Sequence, residues 1–147
     1  MNILFFLTPK SDVDYINEDA SLLKTLQKMQ ERNYSEIPIV AKDGRYVGTI
    51  KSGDILGFIK ENYDLSLRDS ADVPLKNIRR TRDSKAVNAN AKIEEMFELI
   101  LGQNFIPVVD DEESFIGIVT RSDILKFMKK NFYRDRQLRG GVIYKED

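Results

Sequence analysis

The 147-residue chain contains no cysteine and no histidine. Without cysteine there is no disulfide framework, no thiolate nucleophile and no thiolate metal ligand. Without histidine the commonest general base and the commonest metal ligand are missing as well. No apolar run approaches the roughly 20 residues needed to cross a bilayer. Neither charge dominates: 23 basic and 24 acidic residues give a formal net charge of −1, which offers no bulk attraction to nucleic acid or to an anionic membrane. The apolar opening from Met1 to Leu7 is short, has no basic stretch before it and runs straight into Thr8-Pro9-Lys10, so it does not read as a signal peptide. The expectation is a soluble, cytoplasmic protein.

Composition argues for a folded chain, with 41% hydrophobic and 32% charged residues, enough for a core and a solvated surface. The strongest positive signal is an internal repeat. Ile37-Pro38-Ile39-Val40 returns 69 residues later as Ile106-Pro107-Val108-Val109. Gly48 returns as Gly117, and Asp54-Ile55-Leu56 as Asp123-Ile124-Leu125. From 37 to 63, 10 of 27 residues are identical at that spacing. One supersecondary unit used twice, each copy burying a face against the other, accounts for such a pattern.

Within the first copy, Asp12 to Ile16 alternates as a strand would, and Glu18-Asp19-Ala20-Ser21 offers caps for a helix. Leu22, Leu23, Leu26 and Met29 then fall on one helical face, and Asn33 marks the stop. Glu36 to Val40 reads as a β-branched strand whose Pro38 suits a strand start or edge. Lys42-Asp43-Gly44-Arg45 reads as a hairpin turn, Tyr46 to Ile50 as the return strand, and Ser52-Gly53-Asp54 as the opening of a second helix with Ile55, Leu56 and Ile59 on its apolar face. The second copy repeats the order through Ala86-Val87-Asn88, the Ile93, Met96, Phe97, Ile100 face, Phe105 to Val109, Phe115 to Val119, and a helix from Ser122. Its first helix slips by about one residue against the first copy. Asp64 to Val73 is charged and weakly patterned and reads as a hinge with little packing, and Arg134 to Asp147 as a loosely held polar tail. The expected class is α/β, an α+β sandwich of two βαββα repeats with pseudo-two-fold symmetry: 1–66, 67–133, and a tail at 134–147.

Each copy resembles a cystathionine β-synthase (CBS) domain, and the pair resembles a tandem CBS module of the stand-alone bacterial type. The likeness rests on the proline-bearing strand, the hairpin, and a glycine followed by two apolar residues, a hydroxyl residue and an aspartate entering a helix. Gly117-Ile118-Val119-Thr120-Arg121-Ser122-Asp123 fits throughout. The first copy departs, with Lys51 in the hydroxyl position. The resemblance implies an adenine nucleotide bound between the copies. Thr120, Arg121, Ser122 and Asp123 would face Tyr15, Tyr34, Ser35, Glu36 and Ile37 in one site. Asp54, Ser52 and Lys51 would face Ala86, Asn104 and Phe105 in a second, weaker one, with Arg79 toward phosphate.

Independently of any family, a strand-to-helix junction offers free N–H groups to phosphate, and a carboxylate three residues beyond a hydroxyl can accept two hydrogen bonds from a diol. Plainer readings stand beside these. Asp54 and Asp123 also suit acids that complement a helix dipole. Tyr34 suits a core residue as well as a base platform, and Arg79, Arg80 and Arg82 suit a solvated charge run. The leading expectation is a regulatory adenine-nucleotide sensor (AMP, ADP or ATP) that signals to an unidentified partner protein. Alternatives are a cyclic di-AMP receptor and a ligand-free structural dimerisation module. A homodimer is expected. No cofactor, metal, nucleic acid, membrane or catalytic apparatus is.

Overall fold

The computed structural model describes residues 1–139. A 3-10 turn over Ile3–Phe6 leads into the two-residue strand β1 (Thr8–Pro9), and a second turn over Lys10–Asp12 into the equally short β2 (Ile16–Asn17). Helix α1 (Leu22–Arg32), strands β3 (Glu36–Val40) and β4 (Tyr46–Lys51), and helix α2 (Ser52–Glu61) complete the first repeat. Short turns at Asp69–Asp72 and Leu75–Asn77 bridge to β5 (Val87–Asn88), α3 (Ile93–Leu99), β6 (Phe105–Val109), β7 (Phe115–Thr120) and α4 (Arg121–Arg139).

Local chemistry explains most of these limits. Ser21 caps α1 by accepting the Lys24 N–H at 3.1 Å, and Asn33 ends it in the left-handed conformation, φ 55°, which asparagine tolerates better than most residues. The buried face of α1 is Leu22, Thr25 and Met29. Leu23, expected there, is only half-buried. Thr25 can take the inner place because its hydroxyl donates to the Ser21 carbonyl at 2.9 Å. The hairpin turns at Gly44, φ +93°, a backbone region that glycine enters without strain. Pro38 sits mid-strand in the central strand of its sheet, not at an edge as the sequence suggested. It is tolerated because β2 pairs only with Ile39 and Val40, leaving Pro38 opposite β4 alone.

The two repeats exchange their leading segments. β1 precedes the first repeat but pairs antiparallel with β7 of the second, giving the sheet order β1-β7-β6-β5; the other sheet runs β2-β3-β4. Ile3 is fully buried in the core of the second repeat with Met96, Ile106, Val119 and Ile124. Leu75 and Ile78, which precede the second repeat, lie in the core of the first with Leu22, Ile37, Ile50 and Ile55. The two hairpins also meet directly: the Tyr46 N–H donates to Glu113 O and the Phe115 N–H to Gly44 O, at 3.1 and 2.9 Å.

Three expectations change. Asp12 to Ile16 is a turn followed by a late, short strand, because the Val13 N–H closes back on Lys10 O and the Tyr15 ring packs edge-on against Phe115 of the other repeat. The Asp64 to Val73 connection packs, contrary to its reading as a hinge. Ser70 is buried, Leu65 and Val73 rest on the first core, and Val73 O accepts the Leu22 N–H at 2.8 Å. Residues 134–139 continue α4 in place of a loose tail, as good helix formers should, with the Arg136 guanidinium 5.5 Å from the Phe132 ring centre. The remainder of the expected tail, Gly140 to Asp147, lies outside the described residues. On the outer faces of α2 and α4, Leu56, Ile59, Leu125, Met128 and Phe132 are exposed.

At Gly117 a Cβ would overlap the Thr8 carbonyl across the β1–β7 pairing. Gly117→Ala should therefore lower stability by about 1–3 kcal/mol, the usual cost of overpacking. Urea unfolding followed by circular dichroism checks this, and an unchanged midpoint would contradict the exchanged arrangement.

Candidate functional site

The crossing of the leading segments creates two related places, one in front of α4 and one in front of α2. In front of α4 lies an open cavity of about 260 Å³. Tyr34, Glu36 and Pro38 of the first repeat form one wall, and Asn104, Phe105 and Thr120 of the second form the other. The leading segment closes one side with Thr8, Asp12, Val13 and Asp14. Tyr34, Glu36 and Thr120 are therefore brought together as the sequence suggested. Asn104 and Phe105, assigned to the second site, line this one instead, because Phe105 sits opposite Thr120 in the β6–β7 register.

Other expected residues stand nearby in different roles. Thr120 Oγ1 accepts the Asp123 N–H at 3.2 Å, which caps α4 and leaves the hydroxyl proton free to donate. Among the described residues, no hydrogen bond or ion pair engages the Asp123 carboxylate. Arg121 Nε donates to Gln103 O at 3.1 Å. With Ser122, Lys126, Lys129 and Asn104 it borders a shallow neighbouring cavity of about 500 Å³. Tyr15 lies between Lys10 and Lys28, whose ammonium groups are 5.2 and 5.6 Å from its ring centre. Ser35 O receives the Ser52 N–H and so seats α2, while Ile37 is wholly buried in the first core.

In front of α2 the same kind of place is filled by the chain. Asp54 is 5% exposed. Its Oδ2 accepts the Lys51 N–H at 3.0 Å, and its Oδ1 accepts both the N–H and the hydroxyl of Thr81, at 3.1 and 2.9 Å. Two residues on, Asp83 Oδ1 accepts the Thr49 N–H at 3.0 Å and pairs with Arg80 Nε at 2.8 Å. Lys51 Nζ donates to Arg82 O, so its amine is occupied by the segment that follows. Arg79 borders a separate cavity of about 420 Å³, together with Thr81, Asp54, Gly53 and Gly57. Ala86 is half-buried at the entry to β5.

Charge follows this geometry. Partial burial works against the Asp83 carboxylate, but the hydrogen bonds from Arg80 and from the Thr49 amide outweigh it and hold its pKa below the ordinary carboxylate value. Burial pushes the Tyr46 hydroxyl well up, reinforced by the negative charges of Asp83 and Glu36, so it stays protonated and donates to Ser84 O. Burial likewise raises Tyr34, helped by Asp14, which its hydroxyl meets at 3.4 Å. Arg32 pairs with that same carboxylate at 3.2 Å.

Sequence reasoning missed Thr8, Asp12 and Asp14 on one side and Thr81, Asp83 and Ser84 on the other. The signal existed. Ile16 and Val87 hold equivalent places in β2 and β5, so Thr8 to Asp14 corresponds to Arg79 to Lys85 at a spacing of 71. Among the described residues there is no group of carboxylates arranged to hold a metal ion, and no helix is long and apolar enough to cross a membrane.

Comparison with known proteins adds the following. The sequence profile of the CBS domain matches twice, over residues 6–61 and 71–130. The uncharacterized protein MJ1426 of Methanocaldococcus jannaschii is 28% identical over 139 residues, covering 76% of this chain and 83% of that protein. The chain spans less than half of several other curated relatives. Among solved structures, CbpB in complex with c-di-AMP superposes with a TM-score of 0.80 at 22% identity, covering 93% and 90% of the two chains. A CBS domain protein from Streptococcus pneumoniae gives 0.77 at 28% identity, covering 88% of each.

Because the folded Asp83 has a lowered pKa, it adds stability above the ordinary carboxylate range, and that stability is lost as pH falls through the folded value. The side chain is 39% exposed, so solvent limits the effect to about 1 kcal/mol or less. Urea midpoints measured at pH 7 and pH 3 should move further apart in the wild type than in Asp83→Asn. An equal displacement in both would place the acid sensitivity elsewhere.

Proposed function

The chain belongs to the CBS-domain family, and on that footing we propose that it is a regulatory module that senses an adenine nucleotide in the cleft before α4. The observation that carries this reading is the pairing of two unlike surfaces. The cavity of about 260 Å³ presents acceptors, Asp12, Asp14 and Glu36, beside Tyr34 and Phe105. These suit the amine and hydroxyl donors and the flat apolar faces of a nucleoside. The cavity falls just below the roughly 300–1,000 Å³ of sites that enclose a whole drug-sized ligand, which leaves phosphates outside. There Arg121, Lys126 and Lys129 border the adjoining surface, next to the amino end of α4. Asp123 lines neither cavity, but it follows Thr120 by three residues and its carboxylate has no competing partner among the described residues, which makes it the acceptor assigned to ribose. Binding is read out through a partner protein.

A second reading, a cyclic di-AMP receptor, draws support from the likeness to CbpB, whose structure contains that ligand. The exposed apolar residues Leu56, Ile59, Leu125 and Met128 on α2 and α4 favour a two-fold dimer of this chain, since isologous contact of such faces is the commonest way to cover them.

A thermal-shift panel should show AMP, ADP, ATP or cyclic di-AMP raising the unfolding temperature and guanine nucleotides leaving it unchanged, because a ligand of the native state must stabilise it. Asp123→Ala should weaken the best of these by about 2 kcal/mol, roughly 30-fold, through loss of charge-assisted hydrogen bonds. Asp54→Ala should lower stability more than affinity. A panel with no response, or equal affinity losses at both positions, refutes the assignment. Light scattering at micromolar concentration should give twice the 17.0 kDa chain mass; a monomer would remove the dimer.

A further inference from the structure

We propose that residues 79–84 are a latch that occupies the cleft before α2, so that the chain offers one open ligand site and holds the second shut with its own backbone. The two places descend from the same repeated unit, yet they differ in a specific way. Before α4 the leading segment stands off and leaves a cavity, and the aspartate of the helix, Asp123, keeps an unengaged carboxylate among the described residues. Before α2 the corresponding segment lies in the cleft. Thr81 gives the buried Asp54 both a backbone and a hydroxyl donor. Asp83 takes the Thr49 N–H, and Thr49 Oγ1 in return accepts the Ser84 N–H at 3.0 Å. The Ser84 hydroxyl donates to Glu36, its carbonyl accepts from Tyr46, and Arg82 O accepts from Lys51 Nζ.

These contacts form a closed set. Every member of the segment from Thr81 to Ser84 is tied to β3, β4 or the start of α2, by bonds that a ligand in this cleft would have to replace. Buried polar groups left without partners are costly, so the latch opens as a unit and not one bond at a time. Gly48 is the seat of the latch: a Cβ there would overlap the Asp83 carboxylate. The same glycine in the second repeat, Gly117, seats the β1 backbone instead. The segment is thus built into the cleft on one side, while on the other its counterpart joins the sheet edge and borders a cavity.

Two measurements decide the matter. The first needs no nucleotide. Amide exchange of Thr49, Thr81 and Ser84 in the ligand-free chain should be slow and should accelerate together, at least tenfold, in Gly48→Ala and in Asp83→Ala, while the α4 amides stay unchanged. Two variants are used so that a folding defect in one leaves the other to answer. Fast exchange in the wild type, or independent rates at the three amides, overturns the latch. The second rests on the nucleotide reading of the open cleft. Calorimetric titration with ATP and with AMP should give one site per wild-type chain and two in Thr81→Ala/Asp83→Ala. Two sites in the wild type, or one in the double variant, overturns the proposal. A wild type that binds neither nucleotide counts against the functional reading alone, and the exchange data then settle the latch.

Discussion

The reciprocal exchange of leading segments governs the rest of this molecule. Ile3 completes the core of the second repeat, and Leu75 with Ile78 completes that of the first. Neither repeat can therefore close its apolar interior alone, which is the condition that makes repeat units stable only in company. The exchange also fixes where ligands can go. Each segment meets the return strand of a hairpin, Thr8–Pro9 at β7 and Asp83 at β4. At that crossing a Cβ would meet the Asp83 carboxylate at Gly48 and the Thr8 backbone carbonyl at Gly117. The cleft before α4 is thus made jointly by both repeats.

What the sequence revealed and what it hid follow from the same geometry. The hairpins were legible because Pro38, Pro107, Gly48 and Gly117 hold fixed places in a rigid two-strand register, and a 69-residue spacing survives only where no residue has been inserted. The slip expected in the first helix is real and amounts to two residues. Leu22 and Ile37 are 15 apart in sequence, whereas Ile93 and Ile106 are 13 apart, and α3 is correspondingly shorter than α1. Upstream of the helices the spacing becomes 71, so a comparison kept at 69 misaligns the leading segments. Strands of two residues, β1, β2 and β5, carry no periodicity that a pattern could detect. Their pairing is dictated by the cores they lead into.

The asymmetry between the clefts comes from a handful of side chains at equivalent positions. Thr81 corresponds to Lys10, and Ser84 to Val13. A threonine can cap a buried carboxylate through two donors of its own, whereas Lys10 sets its ammonium over the Tyr15 ring, and the Val13 side chain has no hydrogen bond to offer. Lys51, standing where the second repeat has Thr120, reinforces the difference by donating to Arg82 O. The departure from the family pattern at Lys51 is thereby explained in physical terms. Lys51 holds a chain carbonyl, where Thr120 accepts the Asp123 N–H and lines the open cleft.

Glu36 joins the two sides. It opens β3, paired with Lys51 across the hairpin, lines the open cleft, and accepts the Ser84 hydroxyl from the segment that fills the other. Tyr46, which holds Ser84 from the opposite direction, stacks on Phe115 of the second repeat at 6.3 Å, and Phe115 in turn meets Tyr15 at 6.0 Å. A carboxylate accepts at two oxygens, so Glu36 holds the Ser84 hydroxyl through Oε1 and still faces the open cleft; one side chain thus serves both sides of the molecule without any rearrangement of the two cores.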